Sequence, residues 1–70
     1  MFYKQHESTH NAVSKIRKLS GLTQAELADK IAVTRQTIIA IEKGNYTPSV
    51  LLALKLAKAL NKSVEELFWL

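Results

Sequence analysis

The sequence predicts an all-α domain built from five short helices. Three observations predict it: apolar residues recur at helical spacing, Ser or Thr stands three residues ahead of Glu before two of the apolar runs, and no stretch alternates as a half-buried strand would. Val13, Ile16 and Leu19 place a first helix from about Asn11, and Ser20-Gly21 closes it, since Gly21 can take the left-handed conformation that ends a helix. Thr23 and Glu26 form a capping box in front of Leu27, Ala28 and Ile31, which gives a short second helix stopping near Ile31-Ala32-Val33. Thr34 opens a third that runs to about Lys43, with Ile38 and Ile41 inward and Gly44 as its stop. After the loop Asn45-Tyr46-Thr47-Pro48, Ser49, or alternatively Thr47 with Pro48 in the first turn, caps a fourth helix whose inward residues are expected to be Val50, Ala53, Leu56, Ala57 and Leu60. Asn61-Lys62 breaks it, and a second capping box, Ser63 with Glu66, opens a last turn or two through Val64, Leu67 and Phe68.

A chain of 70 residues with 47% apolar composition holds one domain and one small core. The expected division is an N-terminal arm over residues 1–10 and a folded domain over 11–70. Without cysteine there are no disulfides and no thiolate metal sites. Met1 to His6 lacks the apolar run of a signal peptide, and Val50 to Leu54 is too short to span a bilayer, so a cytoplasmic protein without membrane contact is expected. Ten Lys and Arg against six Asp and Glu give a net charge of +4, which suits an anionic partner. Lys4, Lys15, Arg17 and Lys18 gather near one end and Glu65 and Glu66 near the other.

The second and third helices, two units of about eight residues joined by a three- to four-residue turn, form a helix-turn-helix over about residues 23–43. Small Ala28 permits a close crossing, and Leu27, Val33, Ile38 and Ile41 fill the wedge between the helices. That crossing leaves the outer face of the third helix free to enter a major groove, with Arg35, Gln36 and Ile39 on or near it.

The strings Gly21-Leu22-Thr23-Gln24, Glu26-Leu27-Ala28, Val33-Thr34-Arg35-Gln36-Thr37-Ile38, Ile41-Glu42-Lys43-Gly44 and Pro48-Ser49 resemble the Cro and phage-repressor helix-turn-helix family, also called the xenobiotic-response-element family. The resemblance covers about Asn11 to Phe68 and is closest to short single-domain members. It implies a five-helix, lambda-repressor-like fold that binds double-stranded DNA as a transcriptional regulator, with no catalysis and no cofactor. Arg35 and Gln36 are the expected base readers, a bidentate Arg suiting guanine and Gln suiting adenine. Ile39 either rests on a thymine methyl or packs at the edge of the core. Gln24 stands at the family's phosphate-contacting position, and Thr34, Thr37, Lys43, Asn45 and Tyr46 are further backbone candidates. Arg17 and Glu42 occupy positions that bridge the first and third helices in relatives. Where this chain has Ala32 the family usually has Gly, so a left-handed turn there would be strained.

Phe2, Tyr3, Leu51, Leu54, Phe68, Trp69 and Leu70 form an apolar surplus near the chain ends and the fourth helix, unless several of them pack within the monomer. A homodimer through Leu54, Leu67, Phe68, Trp69 and Leu70, with the N-terminal arm as a further edge, would bury it and present two recognition helices to a near-palindromic operator. A protein-interaction module on the same fold, such as an antitoxin or a co-activator bridge, is the rival reading. His6-Glu7-Ser8-Thr9-His10 matches the H-E-x-x-H zinc pattern, yet no third His exists to complete a catalytic site, and no metal is expected. Lys55, Lys58 and Lys62 fall at helical spacing, either as a solvated face or as a second anion-binding strip. No small-molecule effector is evident.

Overall fold

The computed structural model describes residues 9–70. Helices α1 (Val13–Leu19), α2 (Gln24–Lys30), α3 (Arg35–Glu42), α4 (Val50–Leu60) and α5 (Val64–Leu67) follow one another, and a two-stranded antiparallel sheet joins β1 (His10–Asn11) to β2 (Phe68–Trp69). Local punctuation sets these boundaries. Thr23, Thr34, Ser49 and Ser63 each accept a hydrogen bond from the amide three residues on, which satisfies a donor that the helix itself leaves unpaired. Both expected capping boxes are complete: Glu26 accepts from the Thr23 amide at 2.8 Å, and Glu66 from the Ser63 amide at 2.9 Å. For α1 the cap comes from one residue earlier, where Asn11 Oδ1 accepts from the Val13 amide at 3.1 Å.

The ends of α1, α2, α3 and α4 share one device. Gly21, Ala32, Gly44 and Asn61 take positive φ values of 75, 59, 78 and 55°, and each next residue returns its amide to a carbonyl in the last turn, as Val33 does to Ala28 at 3.0 Å and Asn45 to Ala40 at 2.9 Å. Gly and Asn tolerate this region; Ala32 does not, because its Cβ crowds the following carbonyl. The sharp reversal at Ala32 is what lets α3 cross α2.

Val13, Leu27, Ile38, Ile41, Leu56 and Leu67 are fully buried at the centre, with Ala28 where α2 packs on α3. The core corrects several sequence expectations. Leu19 is 78% exposed, because residues three apart drift about 60° per step on a helix, and Arg17, four residues from Val13, takes the inward place. Val50, at the first position of α4, is likewise exposed, and Leu52 faces inward in its stead, in line with Leu56 and Leu60. Leu67, expected at a dimer contact, is 0% exposed within the single chain and belongs to the core. Phe68 does not continue the last helix: it is extended, pairs with Asn11 and is half-buried against the core. His10, assigned to the arm, pairs with Trp69 and stacks on it with ring centroids 6.3 Å apart. The Ala12 amide donates to the Leu67 carbonyl at 2.9 Å, so both ends of the domain are fastened together. Phe2, Tyr3 and most of the H-E-x-x-H string lie outside the described residues.

Ala32→Gly is expected to remove the strain of the left-handed turn, worth about 1 kcal/mol, and to raise Tm by about 4–8 °C in a circular-dichroism melt. An unchanged or lower Tm would show that the Ala32 methyl has a compensating role.

Candidate nucleic-acid interface

The position of α3 is fixed by a polar knot at its C-terminal end. Arg17 on α1 donates from Nε to Glu42 Oε2 at 2.7 Å, from Nη2 to Glu42 Oε1 at 3.3 Å, and from Nη1 to the Leu22 carbonyl at 2.8 Å. Gln24 on α2 adds a donation from Nε2 to Glu42 Oε1 at 3.1 Å. One carboxylate therefore holds α1, α2 and α3, and the paired side chains are only 9% and 7% exposed. Burial pushes the Glu42 carboxyl up, but hydrogen bonds from Arg17 and Gln24 and the Arg17 charge outweigh it and hold it below its ordinary value. Hydrogen bonds from the Thr23 and Ser63 backbone and side chains also lower Glu26 and Glu66. A second tether was not foreseen: Asn11 Nδ2 donates to the Ile41 carbonyl at 2.9 Å across thirty residues of sequence, linking β1 to the end of α3.

Held in this way, α3 turns Ile38 and Ile41 inward and leaves Arg35 and Gln36 exposed, with Ile39 partly exposed between them and the core. Its single acid is occupied by Arg17, so the outer face carries a cation, an amide and an apolar side chain without a free carboxylate. Arg35 borders a hollow with Lys18, Thr23 and Gln24 at the head of α2. Lys18 entered the sequence reading only as part of a charge cluster; nothing in its local spacing places it beside Arg35. The head of α2 leaves the Gln24 and Ala25 amides without intrahelical acceptors, a geometry suited to an anion.

The expected backbone-contacting residues lie at both ends of α3. Thr34 and Thr37 stand at its start, where the Thr34 hydroxyl accepts from the Thr37 amide at 3.3 Å and lies 3.1 Å from the Thr37 hydroxyl. Lys43, Asn45 and Tyr46 are exposed at and after its end. The eight residues of α3 make about two turns, and a helix about 10–12 Å across fits a B-DNA major groove about 12 Å wide. The Gln24 side chain differs from the simple expectation, because one of its amide hydrogens is engaged by Glu42. Among the remaining predicted residues, Leu54, Trp69 and Leu70 are exposed, Trp69 within the β1–β2 pair. Among the described residues no group of three or more His, Asp or Glu is placed to hold a metal ion, and no helix is long and apolar enough to cross a membrane.

A short helix packed across another at a capped, sharply reversed turn, with a polar and cationic outer face, is a helix-turn-helix DNA-binding domain. The helix-turn-helix family model matches residues 13–67, and the chain belongs to that family, whose members are DNA-binding transcriptional regulators and not enzymes. It is 50% identical over 60 residues to the HTH-type transcriptional regulator YgzD of Bacillus subtilis (strain 168), covering 86% of this chain and 91% of that protein. It is 57% identical over 53 residues to an HTH-type transcriptional regulator of Methanothermobacter thermautotrophicus, covering 74% of this chain and 77% of the relative. In three dimensions it is similar to the restriction-modification controller protein C.AhdI of Aeromonas hydrophila, with a TM-score of 0.73, 31% identity, and coverage of 77% and 82% of the two chains.

Two measurements probe the knot. Arg17→Ala and Glu42→Ala are each expected to cost about 2–3 kcal/mol in urea unfolding, the double variant costing clearly less than their sum; additive losses would dissolve the pair. Glu42 has a folded-state value below its ordinary one of 4.5, so its contribution is complete above that ordinary value and is lost as pH falls through the folded value. Tm should therefore fall below about pH 4, and Glu42→Gln should flatten that decline; an identical slope in both proteins would contradict the assignment.

Proposed function

We propose that this protein is a sequence-specific repressor that binds a near-palindromic operator as a homodimer in the cytoplasm. The observation that carries the reading is the outer face of α3, where Arg35 and Gln36 project beside Ile39 while the only acid of the helix is tied inward. Arg35 reads guanine through two parallel donors, Gln36 reads adenine, and Ile39, being only partly exposed, serves both as an edge of the core and as a contact for a thymine methyl. Gln24 with the amides at the head of α2, Thr34 and Thr37 grip phosphates on one side of the groove, and Lys43, Asn45 and Tyr46 grip them on the other. These contacts set affinity and register; the two base readers set sequence. Repression follows from occupancy, since a protein seated on a promoter excludes another from the same groove.

Dimerisation is supported by the exposed apolar side chains Leu51, Leu54, Trp69 and Leu70, which are 64, 55, 47 and 87% exposed in the single chain. Half-buried Phe68 contributes at the margin, whereas Leu67 does not. A two-fold pair joined there places its recognition helices about 34 Å apart, one turn of DNA.

Selection of bound sequences from a random duplex pool tests the reading: the expected product is an inverted repeat with half-site centres about one helical turn apart. On that site Arg35→Ala should weaken binding by about 1–3 kcal/mol and relax preference at one base pair of each half-site, whereas an equal loss on every sequence would make Arg35 a phosphate contact. No duplex retained in dilute salt would overturn the whole reading. Leu54→Glu should shift the sedimenting species from dimer to monomer while preserving the helical spectrum; a monomeric parent, or a variant still dimeric, would remove the proposed interface.

A further inference from the structure

Helix α4 has two flanks of different chemistry. Toward α5 and β2 it presents Val50 and Ala53, and there an apolar depression is completed by Pro48, Val64 and Phe68. On the opposite flank Lys55, Lys58 and Ala59 meet the end of α2 and the turn after it, Lys30, Ile31 and Ala32, across an open groove. Buried Ile31, half-buried Ala59 and exposed Ala32 supply the apolar part of the lining and the three lysines the rest, with no acid among the lining residues. All three lysines are exposed, and among the described residues the single salt bridge is the one between Arg17 and Glu42. Lys62, which the sequence spacing joins to Lys55 and Lys58, leaves this group: it lies on another surface beside Glu66.

We infer that the groove between the α2–α3 turn and α4, lined by Lys30, Lys55 and Lys58, docks an acidic and partly apolar segment of a partner protein. Like charges gathered around a groove repel one another and are relieved by a ligand that brings carboxylates. The helix dipole accounts for cations in the last turn of α2 and α4, where Lys30 and Lys58 stand, but Lys55 is one turn too early for that explanation. The apolar part of the lining decides the class of partner. Neutralising phosphates needs only cations, whereas an apolar lining adds recognition for a ligand with an aliphatic side chain between its anions, which a peptide has and a nucleic-acid backbone lacks. The groove also lies at the opposite end of α2 from the hollow that Arg35 borders, so a partner can be held without covering the outer face of α3. The inference does not depend on the operator reading above.

The test uses the full chain and a short fluorescein-labelled peptide of Asp and Glu with interspersed Leu. Binding should shift the methyl resonances of Ile31, Ala32 and Ala59 in NMR spectra. Lys55→Gln with Lys58→Gln should weaken the peptide about fivefold, while Lys15→Gln with Lys62→Gln, which removes the same charge elsewhere, and Arg35→Ala should leave it unchanged. Replacing the peptide leucines by Ser should also weaken it. The two double variants should bind a random duplex equally, with equal salt dependence. Equal peptide affinity in the two double variants, or methyl shifts confined to other residues, would overturn the proposal. A duplex loss specific to the Lys55 and Lys58 variant would overturn it in favour of a nucleic-acid surface.

Discussion

The buried pairing of Arg17 with Glu42 ties the first three helices to one another. It lies where α1, the turn after it, the head of α2 and the end of α3 converge, and each of the three guanidinium nitrogens has an acceptor there. A cation and an anion withdrawn from water are tolerable only when their hydrogen-bonding capacity is nearly exhausted, and Leu22 and Gln24 complete that requirement. The structural arrangement has an electrostatic consequence for function. Glu42 would otherwise place a negative charge on a helix that must approach phosphates, and turning it inward leaves that face without an acid.

Around this knot, the domain is assembled from helices too short to be stable alone. Their ends carry the specification: a hydroxyl cap at the start and a left-handed residue at the stop, repeated along the chain. Such termini fix where each helix begins and the direction in which the chain leaves it. In the helix-turn-helix this is the functional requirement, because the crossing of α2 and α3 determines how Arg35 and Gln36 project. Ala32 holds the same conformation as Gly21 and Gly44 against its own steric preference, so the α2–α3 reversal is imposed by packing of Ala28, Val33 and Ile38 rather than granted by the local backbone.

A core this small leaves three surfaces with distinct chemistry. The outer face of α3 is polar and cationic, the end formed by β2 and the adjoining flank of α4 is apolar, and the other flank of α4 is basic with a partly apolar lining. The two flanks of α4 line different hollows, and neither hollow includes a residue of the outer face of α3. The β1–β2 pair connects two of the three surfaces. Asn11 in β1 holds the Ile41 carbonyl at the end of α3, and its neighbour in the ladder, Phe68, borders the apolar end.

Most of what contacts within about four residues govern was legible in the chain alone, the Asn11 cap on Val13 excepted. Caps at Thr23, Thr34, Ser49 and Ser63, stops at Gly21 and Gly44, and the spacing of Leu27, Ile38 and Ile41 are local chemistry, and with the family motifs they were enough for the fold class and the recognition helix. Tertiary structure decided what depends on rotation of a helix about its axis or on residues far apart in the chain. It buried Leu67 rather than leaving it for a partner, exchanged Val50 for Leu52 on the inner side of α4, drew Phe68 and Trp69 into a strand with His10 and Asn11, and separated Lys62 from Lys55 and Lys58. The physical reason is that a helical periodicity defines a stripe to within a residue or so, while the side of that stripe that meets a neighbour is set only when the whole core closes.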